Sequence, residues 1–180
     1  MITSNLHGRF YEQVYRRNVF AARAVVTAPV IFTTAAATGG PLLYNPAASA
    51  VNLVLLKAGI GATVVTTVAA ALGITGGPTT APTSTTAIDT DTNCFIGGVT
   101  HEALAYRLGT VSAAGTFFVP LMDVHTGALT VDTANVGWID LEGLFVCPPG
   151  HFGSLAASAT ATTLVAQMAL VWEEGPVSDA

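Results

Sequence analysis

The side chains able to do chemistry are few in this 180-residue chain, and they are scattered. Asp89-Thr90-Asp91-Thr92-Asn93 puts oxygen-bearing side chains at alternate positions, as the first half of a calcium loop does, so that hard oxygens can converge on one cation. The second half is missing: Cys94 stands where the sixth position needs glycine, and Thr100 where the twelfth needs a bidentate glutamate. Asp89, Asp91 and Asn93 therefore read as a polar turn. His101-Glu102 lacks the second histidine of a zinc-protease helix, and His7, His101, His125 and His151 have no ligand spacing. Cys94 and Cys147 stand too far apart for a thiolate framework and are expected to be buried free thiols. No Gly-x-Ser-x-Gly elbow, phosphate loop or dinucleotide fingerprint occurs. The six carboxylates between Asp123 and Glu174 lie in alternating strand-like sequence and read as rim charges. Neither a metal nor a cofactor is implied, and an enzyme is not expected.

Recognition chemistry has one candidate. Arginines and aromatics interleave near the N-terminus as Arg9, Phe10, Tyr11, Tyr15, Arg16 and Arg17, and such side chains combine large contact area with oriented hydrogen bonds. Residues 1–23 hold four of the six basic residues (Arg9, Arg16, Arg17, Arg23) against Glu12 alone, a net +3. The remainder sets Lys57 and Arg107 against ten acids, a net −8, and the two parts give the formal −5. This divides the chain into a basic aromatic arm, residues 1–23, and an acidic body, residues 24–180. An acidic body repels a phosphate backbone, so the arm points to an acidic protein surface and not to nucleic acid. Phe10, Val14 and Arg17 could share a helical face; an extended arm, or a segment packed on its own domain, fits equally.

The elements that must carry these residues are strands. In residues 164–172, Leu164, Ala166, Met168, Leu170 and Trp172 fall on one parity, which is a strand with one apolar face. Leu141 to Cys147 is a second strand, stopped by Pro148-Pro149-Gly150. Residues 24–34 and Leu42-Leu43-Tyr44 read as further strands, and residues 51–60, apolar on both parities, as one sandwiched between two layers or against a neighbouring subunit. Residues 64–74 are ambiguous between strand and helical turn. Gly39-Gly40-Pro41 and residues 76–86, with Gly76-Gly77-Pro78, read as loops. Strands are also expected at 94–99, 103–108, 115–122, 127–131 and 136–139. Their spacing of about ten residues predicts an all-β body, a β-sandwich or jelly roll.

Composition sets the wider bounds. Only 9% of residues are charged and 51% are hydrophobic, whereas about a quarter of a typical soluble protein is charged. A monomer with so little surface charge would disperse poorly, so self-association or incorporation into an assembly is expected. The long uncharged stretches are broken by Gly and Pro and dominated by Thr and Ala, so none reads as a membrane-spanning helix. No secretory signal is visible, so synthesis in a cytoplasm is expected.

Gly8-Arg9-Phe10-Tyr11-Glu12, Arg17-Asn18-Val19-Phe20, Leu43-Tyr44-Asn45-Pro46-Ala47, Pro148-Pro149-Gly150 and Trp172-Glu173-Glu174 together resemble the small virion proteins of tailed bacteriophages. Among these the chain is similar to capsid decoration, or cement, proteins, which are small, β-rich and commonly trimeric. The resemblance implies a homotrimer on the outer surface of the virion head. There it would bind the major capsid protein and stabilise contacts between capsid subunits, with Arg9, Phe10, Tyr11, Tyr15, Arg16 and Arg17 as the capsid contact. The alternative is a trimeric head-fibre or tail adhesion module, which would want exposed aromatics at its loop tips.

Overall fold

A computed structural model describes residues 10–27, 38–64, 70–88, 90–123, 136–159 and 164–177. Among the described residues one short helix, α1 (Tyr11–Tyr15), precedes eleven strands. These are β1 (Val19–Thr27), β2 (Thr38–Asn45), β3 (Val51–Val64), β4 (Ala71–Pro78), β5 (Thr83–Ala87), β6 (Thr90–Asn93), β7 (Leu104–Thr110), β8 (Phe117–Asp123), β9 (Val136–Cys147), β10 (His151–Ala157) and β11 (Val165–Pro176). They form two antiparallel sheets, β6-β1-β11-β3-β9 and β5-β7-β2-β10-β4-β8, which make the expected all-β sandwich. Among the described residues no helix is long and apolar enough to cross a membrane.

The core is the layer between the sheets. β11 supplies Ala166, Met168, Leu170 and Trp172 on its inward parity, and antiparallel β1 sets Phe20, Ala22, Ala24 and Val26 beside them. Leu43, Leu72, Ile74 and Leu155 close the layer from the second sheet. Each fully buried side chain of this size stabilises the fold by roughly 1.5–3 kcal/mol relative to exposure.

β3 is apolar on both parities for a different reason from the one its sequence suggests. Its register against β11 and β9 shifts between Leu55 and Lys57, so inward parity changes there. Leu53 and Leu55 are buried before the shift, and Leu56, Ala58 and Ile60 after it. On β9 the same irregularity sets residues 141–144 opposite Leu56 alone, with Glu142 and Gly143 at φ 53° and 77°. This joins residues 136–139 and 141–147 into one edge strand.

Other boundaries move as well. β1 begins at Val19, not Ala24, because Val19 to Arg23 pair with Glu173 to Ala169 of β11. Gly39-Gly40-Pro41 lies inside β2 at a register shift against β7, where proline needs no donor. Gly76-Gly77-Pro78 ends β4 and pairs with β10 through Phe152 and His151. Thr90 to Asn93 form β6 and residues 94–99 the turn after it, the reverse of the order expected. The strand expected at 127–131 lies outside the described residues.

Candidate interaction surface

α1 crosses the outer side of the first sheet before the chain enters β1. Arg16 N–H donates to the Glu12 carbonyl and Arg17 N–H to the Val14 carbonyl, which closes the helix. Arg17 then takes φ 66°, the left-handed conformation that reverses the chain into the sheet. Two bonds hold this corner: Asn93 Nδ2 donates to the Arg17 carbonyl at 2.7 Å, and Glu174 N–H to the Asn18 carbonyl at 2.9 Å.

Five of the six arm residues named from the sequence are brought together here; Arg9 lies outside the described residues. The Tyr11 and Tyr15 rings stack at 5.9 Å, a consequence of their i, i+4 spacing on a helix. Tyr15 meets Phe95 edge-on at 6.4 Å, and the Arg17 guanidinium lies 4.9 Å over the same Phe95 ring. At the other end the Lys57 ammonium of β3 stands 5.6 Å from the Phe10 ring. Tyr15 is 58% exposed, and Arg16 and Arg17 are exposed with it. The Glu173 carboxyl beneath is pushed above its ordinary value by burial, partly offset by the Arg16 guanidinium.

Phe95, Asn93 and Lys57 complete this patch, and the sequence reading placed none of them in it. Phe95 was expected in a strand; the turn after β6 presents its ring to α1 instead. Local sequence carries no sign of that, because the contact joins residues 78 positions apart in the chain, Arg17 and Phe95.

The other candidates resolve separately. Asp91 and Asn93 do not converge: Asp91 Oδ2 faces His101 Nε2 at 3.1 Å, while Asn93 Nδ2 donates to the Arg17 and Val99 carbonyls and its Oδ1 accepts from Phe95 N–H. Asp89 lies outside the described residues, as does His125. Among the described residues no three His, Cys, Asp or Glu side chains cluster as metal ligands do. Cys147 is buried and its thiol is pushed up to about 12, whereas Cys94, expected to be buried, is exposed. A cavity of about 160 Å³ lies where the sheets part near Phe117 and Phe145, whose rings stack at 5.8 Å. Apolar side chains sit exposed at the same margin: Trp138 at 62%, Leu144 at 80%, and Val146, Phe117 and Val119.

No protein-family model matches the chain, and no curated protein or solved structure is significantly similar to it.

Proposed function

We propose that the protein is a structural component of a virion, a capsid decoration protein that binds the major capsid protein on the outer surface of a phage head. The observation that carries this reading is the patch on α1: Tyr11, Tyr15, Arg16 and Arg17 stand together, oriented by Phe95 and by the Arg17 corner. Such a surface suits a protein partner with carboxylates, since arginine pairs with them in a fixed fork and tyrosine adds apolar area at small entropic cost. The scarcity of charge and the exposed apolar margin of β8 and β9 support self-association, and a homotrimer is the form we propose.

A tail or head-fibre adhesion module is the second reading, favoured by the exposed indole of Trp138, a flat apolar platform of the kind sugars stack on. The test mixes purified protein with heads lacking it and follows co-sedimentation. The decoration reading expects saturable binding, weakened at least about tenfold by Arg16→Glu with Arg17→Glu and little changed by Trp138→Ala. Heads left bare by the parent protein overturn it, and cell or glycan binding that Trp138→Ala abolishes supports the adhesion reading.

A further inference from the structure

The connection from β6 to β7 bears two separate features. Near its start Phe95 seats Arg17 and Tyr15 of α1, and near its end His101 packs against the stacked pair of Phe20 and Trp172. The imidazole meets both rings edge-on, each at 5.5 Å, and its side chain is only 17% exposed. Its two nitrogens face two acceptors. Nδ1 lies against the Ala103 carbonyl oxygen, and Nε2 lies 3.1 Å from Asp91 Oδ2.

A neutral imidazole has one N–H and can satisfy one of these acceptors, whereas an imidazolium has two and satisfies both. The charges packed around it are acidic. β6 contributes Asp91, and β11 contributes Glu174, whose carboxylate accepts the Glu102 N–H at 2.9 Å and the Ala103 N–H at 3.0 Å. Glu102, on the connection itself, turns to Ser49 at 3.0 Å. β1 contributes Phe20 and no charge beside the ring, and the cation Arg17 lies over Phe95.

We propose that His101 is a proton-operated latch. Doubly protonated, it fastens the connection to β6 and to its own Ala103 carbonyl, and so holds Phe95 where α1 needs it; neutral, it releases one of the two bonds and loosens that seat. The link to partner binding rests on α1 being the docking surface, while the latch itself does not. Asn93 is the mechanical relay, because one side chain bonds the Arg17 carbonyl, the Phe95 N–H and the Val99 carbonyl. Binding through α1 is then stronger at mildly acidic pH than at alkaline pH.

The test uses the full chain carrying Trp138→Phe, so that Trp172 alone reports. An imidazolium against the indole quenches its emission. The expected result is a sigmoidal rise of Trp172 emission as pH is raised from mildly acidic to alkaline. Over the same range amide-exchange protection of residues 95–100, corrected for intrinsic rates, should fall about tenfold, the scale of a hydrogen bond to a charged group. Both changes should vanish in His101→Gln and shrink in Asp91→Asn. A parent whose emission and protection do not vary with pH, or a His101→Gln protein that titrates as the parent does, overturns the latch. Heads bound equally at both ends of the range, while protection changes, overturn its regulatory role and leave decoration standing; heads never bound overturn decoration and leave the latch standing.

Discussion

Glu173 sits where α1 meets the first sheet, and its ionisation reports on that contact. Burial disfavours its carboxylate, and the nearby Arg16 offsets this only in part, so the group holds its proton to higher pH in the fold than in the unfolded chain. Above the ordinary glutamate range, about 4.3, the folded state therefore binds more protons than the unfolded one, and stability falls as pH rises through that window. Glu173→Gln removes the titrating group. Thermal melts should show parent and variant together at the acid end and the variant higher at neutral pH. Parallel profiles across the range would mean that burial at this position does not govern the carboxyl. Neighbouring Glu174 behaves differently, although it follows in sequence: its oxygens accept backbone N–H groups from Glu102 and Ala103 and the Trp172 indole N–H at 3.4 Å, which makes it a clamp on the β6–β7 connection.

At the scale of elements, β4 shows how packing overrides a local loop signal. Gly76-Gly77-Pro78 has turn composition, yet it is strand because all three residues pair with β10, and at Gly76, which also pairs with β8, there is no room for a side chain. A Cβ built on Gly76 would stand 2.7 Å from the Phe152 carbonyl oxygen and 3.3 Å from the Phe117 ring. Gly76→Ala should therefore cost about 1–3 kcal/mol, read as a lowered urea midpoint with unchanged slope. A neutral effect would mean that the two strands separate freely at this end. The same comparison explains what the sequence made legible. The parity of Leu164 to Trp172 identified β11 because one buried face against one half-covered face leaves a period of two. Register shifts are not written in hydropathy, so β3 read as a doubly covered strand when a bulge at Leu56 had moved its inward parity. The arm's residues were recognised by type, but not their seat, since Phe95 and Lys57 reach them only through tertiary pairing.

For the whole molecule, the two margins of the sandwich are chemically unlike. At one, β5 and β6 present Thr83, Ser84, Thr85, Asp91 and Thr92 to solvent; at the other, β8 and β9 present Phe117, Val119, Trp138, Leu144 and Val146. Edge strands that must stay single usually carry charge, often lysine; among the described residues β8 and β9 carry no lysine or arginine, and their acids Asp123, Asp140 and Glu142 leave the apolar side chains between them exposed. An apolar margin on a chain with so few charges is the surface through which copies would associate. Leu144 and Val146 are the places to test this, because both side chains already face solvent and a long polar replacement can be accommodated without disturbing the core. Leu144→Lys with Val146→Lys should leave the circular dichroism spectrum and the urea midpoint within experimental scatter of the parent. By light scattering it should reduce the mass from that of an oligomer to that of an 18.3 kDa chain. If the parent is itself a monomer at micromolar concentration, self-association fails as a reading of the composition. If the parent is oligomeric and the double lysine variant remains so, copies meet through another surface, and the outer face of the first sheet beside α1 becomes the next one to mutate.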